Sequence, residues 1–113
     1  MYTTLTVGNK EYKLRLNTRN IVMLEKQLGC NPLFIFGADG ETIPTITVMV
    51  NVLHAALQQY NHGITLNDAY DIFDAYIADG NASTDFLTVI MDLYKTSGLI
   101  PKETSAEDVE KNA

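Results

Sequence analysis

The sequence has little cysteine and no long apolar run. Cys30 is the only cysteine among 113 residues, so neither an internal disulfide nor a cluster of cysteine metal ligands can form. Asn51 and His54 interrupt the longest apolar stretch, which falls short of the roughly 20 residues of a membrane-spanning helix. The N-terminal residues lack the apolar core of a signal peptide. We therefore expect a soluble, intracellular protein with no membrane contact.

Basic charge is also scarce, and it is unevenly distributed. Eight basic residues stand against fourteen acidic ones, and the net charge of −6 argues against general binding to nucleic acid. Five of the basic residues fall within the first 26 positions: Lys10, Lys13, Arg15, Arg19 and Lys26. A basic end on an acidic body is consistent with weak self-association, and the alternative is a pair of solvated faces.

Signatures of catalysis are missing around the histidines and the cysteine. His54 has neither a nucleophile nor a carboxylate at helical spacing, so a structural role is favoured. His62 precedes Gly63 and is expected in a solvated turn. No base is implied next to Cys30, which is expected to pack at the exit of a helix. We predict a protein that is not an enzyme.

Signatures of cofactor and metal binding are missing as well. Asp68, Asp71 and Asp74 recur at steps of three. They drift around a helix, and no calcium-loop pattern surrounds them, which favours a solvated face. Gly37 and Gly40 stand apart without the GK[ST] sequence of a phosphate loop. We expect no cofactor and no metal.

The strongest pattern that is present is an apolar helix from Pro44 to Tyr60, with Pro44 expected in the first turn. Apolar residues recur there at steps of three and four, as on one helix face: Ile46, Met49, Val50, Leu53, Ala56, Leu57 and Tyr60. Val48 and Val52 widen the apolar surface. The other segments are therefore expected to cover this helix on more than one side.

The remaining patterns predict an α+β fold, with an N-terminal β-hairpin packed on a small cluster of about four helices. Residues 3–16 alternate between apolar and polar side chains around a Gly8-Asn9 turn, as a half-buried hairpin does. Helical patterns follow at about residues 18–28, 65–79 and 83–97, each followed by glycine. Asn17 or Thr18, Thr65 with Asp68, and Ser83 or Asn81 are the expected N-terminal caps: these residues accept hydrogen bonds from the first helical turn. Residues 1–100 form one domain in this prediction, and residues 101–113 form an acidic, disordered tail.

The connector between Cys30 and Ile43 contains an unusual apolar run. Asn31 is a suitable cap, Pro32 suits a first helical position and Gly37 suits the end of a single turn. Between them lie four consecutive apolar residues: Leu33, Phe34, Ile35 and Phe36. Because one turn cannot bury side chains on all sides against one core, some of the four are expected to be exposed or to meet a partner.

Three stretches in order resemble tail assembly chaperones of long-tailed, siphovirus-like phages and prophages of Gram-positive bacteria. They are YKLRLNTRNIVMLEKQLGCNPL at residues 12–33, LHAALQQYNHGITLNDAYDIFDAYIADG at residues 53–80, and a closing YKTSGL. The resemblance covers nearly all of residues 1–100. It includes no catalytic motif and rests on the succession of these stretches.

The resemblance implies a non-catalytic role in virion morphogenesis. Members of that family bind the long helical tape measure protein and help to recruit tail tube subunits. A longer form of the chaperone, made by translational frameshifting, often takes part. The implied location is the cytoplasm of the bacterial host, and the implied protein is absent from the mature virion.

A chaperone for an amphipathic partner needs exposed apolar surface. We place the partner-binding surface on Leu33, Phe34, Ile35 and Phe36, together with Val48 and Val52 of the central helix. The alternative is that the aromatic residues only cover the core. Two other functions remain open: a structural virion protein, such as a tail-completion or head–tail joining component, and a small interaction or regulatory protein.

Overall fold

The computed structural model describes residues 1–102, so most of the predicted acidic tail lies outside the described part of the chain. Two antiparallel strands precede four α-helices, which confirms the predicted α+β class. The elements are β1 (Thr3–Val7), β2 (Lys10–Leu14), α1 (Thr18–Leu28), α2 (Ile46–Leu57), α3 (Leu66–Ala78) and α4 (Phe86–Thr96). Short 3₁₀ turns at Pro32–Phe36 and Ser83–Asp85 precede α2 and α4. Within residues 1–102, no helix combines the length and apolarity needed to cross a bilayer.

The hairpin forms as its alternation predicts. Gly8 has a φ of 61° in the two-residue turn, and Leu5 pairs with Tyr12 on the buried face. β2 ends at Leu14, two residues before the predicted end. The reason is tertiary, because the Arg15 N–H donates to the Ala56 carbonyl in the last turn of α2 at 3.0 Å. That bond satisfies a helix-end carbonyl that has no partner within α2.

Helix α2 lies at the centre of the molecule and contacts α1, α3, α4 and β2. It is covered on several sides, as its broad apolar surface predicts. It is shorter than predicted, because Thr45 is the N-terminal cap and accepts from the Val48 N–H at 3.2 Å. Pro44 therefore precedes the helix. Ile46 and Tyr60 were expected on the buried face, but both are exposed at the two ends of the segment.

Helices α3 and α4 are joined by a cluster of aromatic rings. Phe86 makes edge-on contacts with Phe73 and Tyr76, with ring centroids 5.3 Å and 5.8 Å apart. α3 begins with the predicted pair, in which the Asp68 N–H donates to Thr65 Oγ1 and the Thr65 N–H donates to Asp68 Oδ2. Ile77 is apolar but exposed near the end of α3.

Helix α4 starts later than predicted and ends as predicted. The 3₁₀ turn Ser83–Asp85 precedes it, so neither Asn81 nor Ser83 caps α4 itself. At the other end Gly98 adopts a φ of 81°. The Leu99 N–H donates to the Tyr94 carbonyl, and the Gly98 N–H donates to the Lys95 carbonyl. This pair of bonds is the Schellman motif, which reverses the chain and carries the residues after Gly98 back beside α4.

Candidate functional site

An open apolar cleft of about 430 Å³ lies between the first 3₁₀ turn, α4 and the segment after α4. The side chains and the glycine that line it are Leu33, Phe36, Gly40, Leu87, Met91, Tyr94 and Ile100. None of these residues carries a charge at neutral pH. The cleft is therefore suited to apolar side chains rather than to a charged ligand.

The geometry of the 3₁₀ turn decides which of its residues reach the cleft. Residues three apart lie one above the other in a 3₁₀ helix, so Leu33 and Phe36 share one side of it. Asn31 caps the turn by accepting from the Leu33 N–H at 2.9 Å, and Pro32 is at its start. The Gly37 N–H closes the turn by donating to the Phe34 carbonyl at 2.9 Å. The local sequence signals predicted each of these roles.

One buried hydrogen bond ties the two walls of the cleft together. The Tyr94 hydroxyl donates to the Pro32 carbonyl at 2.9 Å. Burial raises the pKa of Tyr94 above its usual value because the phenolate would lose hydration, and the charge of the Cys30 thiolate adds to the effect. The tyrosine therefore stays neutral and donates this bond at physiological pH.

The four apolar residues of the turn do not act as one surface. Phe34 is 60% exposed and does not line the cleft, whereas Leu33 is 39% exposed and does. Ile35 retains only 8% exposure and belongs to the core. The predicted exposure of part of the run is confirmed, and Ile35 is not among its exposed residues.

The structure contradicts the exposure that the predicted binding surface assumes for Val52 of α2. Val52 has 0% exposure, because α2 is covered on the side where this residue lies. Val48 is half-buried and packs against the core. The structure thus brings Leu33 and Phe36 together with residues of α4, and neither valine lines the cleft.

Five cleft residues were not predicted to form a binding site: Gly40, Leu87, Met91, Tyr94 and Ile100. The apolar periodicity of α4 is consistent with Leu87 and Tyr94 on its inward face, but it does not indicate that the 3₁₀ turn lies opposite them. Met91 is 38% exposed on the cleft rim. An apolar side chain at an exposed position of α4 was the available signal for Met91.

The histidines and the cysteine considered as catalytic residues lie on different segments of the chain. His62 is exposed, and the buried Nδ1 of His54 has no hydrogen-bond partner within residues 1–102. Cys30 is exposed, so the expectation that it packs at the helix exit is wrong. The part of the chain that the structure describes holds no group of three or more His, Cys, Asp or Glu side chains arranged to hold a metal ion.

Comparison with known proteins identifies a family without assigning an activity. No curated protein and no solved structure shows significant similarity to the chain. One family model, described as a family of unknown function (DUF6096), matches residues 1–112, which is almost the whole chain. The protein therefore belongs to the DUF6096 family.

Proposed function

We propose that this protein is a non-catalytic phage tail assembly chaperone whose apolar cleft binds a helical segment of the tape measure protein. The observation that carries the proposal is the open cleft, at whose rim Leu33 and Met91 remain partly exposed. Apolar side chains left exposed around a groove are typical of protein-binding surfaces. The resemblance of residues 12–33 and 53–80 to tail assembly chaperones supports the choice of partner.

An amphipathic helix suits the shape and chemistry of the cleft. Such helices bind grooves by placing side chains three or four positions apart into apolar pockets. Full burial of one leucine-sized side chain contributes about 1.5–3 kcal/mol, and association itself costs several kcal/mol. One cleft with one or two anchors therefore binds weakly. Many copies along a long partner would bind firmly and still be released one by one.

The remaining roles follow from coating the partner. Bound copies recruit tail tube subunits, and a longer frameshifted form of the chaperone takes part in the same complex. Assembly takes place in the cytoplasm of the bacterial host, and the chaperone leaves before the virion matures. The alternative, a structural virion protein, requires the chain to remain in purified particles. Mass spectrometry of virions distinguishes the two.

The test is co-purification with the tape measure protein from cells that express both. We expect Leu33→Asp together with Met91→Asp to abolish capture, because a charge at each rim position must be desolvated when an apolar side chain enters. Both residues are partly exposed, so the variant should fold, and circular dichroism checks this. Val22→Asp is the matched control, since Val22 is an equally exposed apolar residue of α1 outside the cleft. Undiminished capture by the cleft variant would contradict the proposal.

A further inference from the structure

A second cavity, a basic groove of about 540 Å³, adjoins the apolar cleft. Its lining consists of Arg15 and the continuous segment 95–102. Arg15, Lys95 and Lys102 are three of the eight basic residues of a chain whose net charge is −6. No acidic residue lines the groove within residues 1–102. Positive charge is thus concentrated at one place on an acidic protein.

Backbone contacts hold the walls of this groove together. The Arg15 N–H donates to the Ala56 carbonyl at 3.0 Å, and the Leu16 N–H donates to Ser97 Oγ at 2.9 Å. The first bond fixes the end of the hairpin against α2, and the second fixes it against the end of α4. The Nε atom of Arg15 is buried and has no hydrogen-bond partner in the described part of the chain. Because Nε is buried, an incoming carboxylate would bind the terminal nitrogens of the Arg15 guanidinium, whose side chain is only half-buried.

The Asp92 carboxylate and the C-terminal end of α4 carry negative charge near the groove, and both accept hydrogen bonds from within the chain. Asp92 lines a neighbouring pocket that also contains Lys95 and Lys102, and its Oδ2 accepts from the Thr3 hydroxyl at 2.8 Å. The carbonyls of Tyr94 and Lys95 accept from the backbone N–H groups of Leu99 and Gly98. The negative end of α4 is therefore capped from within the chain, and this reduces its repulsion of an incoming anion.

The groove and the cleft are neighbouring cavities that share one lining residue. Ile100 lines both cavities, and Tyr94 of the cleft is followed directly by Lys95 of the groove. A segment that inserts apolar side chains into the cleft therefore carries its neighbouring residues over the groove. The positive charge of the groove then favours acidic residues at those neighbouring positions of the partner.

We propose that the basic groove binds an aspartate or glutamate side chain of the same partner segment whose apolar side chains fill the cleft. The preferred partner is an amphipathic helix with acidic residues along one border of its apolar face. This inference rests on the proposed function only in taking the cleft as a protein-binding site. It adds a charge requirement that the cleft alone does not impose.

The test uses two fluorescent helical peptides and the full chain. The peptides share an apolar face of leucine and isoleucine, and the row bordering it is glutamate in one and glutamine in the other. We expect anisotropy titrations to show the glutamate peptide binding about fivefold more tightly, since two partly exposed ion pairs contribute modestly. Added salt should reduce this preference because it screens the charges.

Two variants test whether the groove residues cause the preference for the glutamate peptide. We expect Arg15→Gln together with Lys102→Gln to remove the preference for glutamate and to leave binding of the glutamine peptide unchanged. Lys26→Gln removes one basic residue of α1 that lines neither cavity, so it should retain a preference for the glutamate peptide.

The outcomes that contradict this inference can be distinguished from those that contradict the proposed function. Equal affinity for both peptides, with binding still lost in Met91→Asp, would overturn this inference and leave the cleft function standing. Binding of neither peptide would also overturn this inference. Co-purification with the tape measure protein would then test the proposed chaperone function independently. A preference that appears only after Glu107→Gln and Asp108→Asn would make the chain's own C-terminal segment the occupant. Tighter binding of a single-stranded oligonucleotide, lost in the groove variant, would assign the groove to phosphate.

Discussion

At the scale of single residues, Tyr94 holds the two walls of the cleft together. It is buried, it lines the cleft, and its hydroxyl donates to the Pro32 carbonyl across the two walls. Removing a buried hydroxyl leaves that carbonyl without its partner and costs about 1–3 kcal/mol. The same burial makes the contribution of Tyr94 dependent on pH.

The pKa of Tyr94 is higher in the folded chain than in the unfolded chain, where a tyrosine titrates near pH 10. As the pH rises above about 10, the unfolded state loses this proton first, so the stabilising contribution of Tyr94 is present in full below about pH 10 and declines above it. We predict that urea unfolding shows wild type to be more stable than Tyr94→Phe at about pH 8, and that the difference shrinks at about pH 11. A difference that stays constant with pH would contradict this.

Tyr70→Phe is the control for that experiment, because Tyr70 is exposed on α3. It should keep the pH profile of wild type. Burial raises the pKa of Tyr76 as well, with a smaller contribution from the charge of Asp85. Some loss of stability at high pH is therefore expected to remain in Tyr94→Phe.

At the scale of elements, the first 3₁₀ turn forms one wall of the cleft, and glycines lie at the end of this turn and just after it. Gly37 and Gly40 both have a φ of 77°, which strains any residue that carries a Cβ. Their surroundings differ. A Cβ on Gly37 would collide with the Thr42 side chain, whereas a Cβ on Gly40 would meet no atom within 4 Å. The two glycines share the same φ, but Gly37 also has a ψ of 170°, which lies outside the left-handed helical region, and only Gly37 is crowded.

We predict that Gly40→Ala lowers the free energy of unfolding by about 1–2 kcal/mol, the cost of the left-handed backbone alone. Gly37→Ala should cost more, because the Thr42 Cβ belongs to the backbone frame and cannot rotate away. Urea denaturation of both variants gives the comparison. Equal losses would show that the segment from Gly37 to Thr42 rearranges freely and does not define the cleft wall.

At the scale of the whole molecule, every other element packs around α2 or around a neighbour of α2. Leu53 is fully buried at the middle of this helix, while Ile46 in its first turn is exposed. Net stability of a domain this size is about 5–15 kcal/mol. Loss of one core contact on α2 is therefore a large fraction of the total.

We predict that Leu53→Ala lowers the free energy of unfolding by about 2–5 kcal/mol through lost burial and a residual cavity. Ile46→Ala removes side-chain atoms from the same helix but should cost about 1 kcal/mol or less, since much of Ile46 is already in water. Thermal unfolding followed by circular dichroism measures both. A similar loss for both variants would mean that α2 is not the centre of the core.

The sequence by itself determined the local elements and the fold class. Alternation specified the hairpin, apolar periodicity specified the helices, and the residues Asn17, Asn31 and Thr65 marked the starts at which the structure shows them capping. These features depend on residues a few positions apart, so they can be read without knowing the rest of the fold.

Only the tertiary structure decided which apolar surfaces remain open. Val52 is buried because other elements cover its side of α2, and Met91 reaches the cleft rim because the 3₁₀ turn packs opposite α4. Arg15 and Lys102 lie 87 positions apart in the chain, yet they line one groove. Exposure and charge proximity are properties of packing between distant segments, and no local pattern encodes which segments those are.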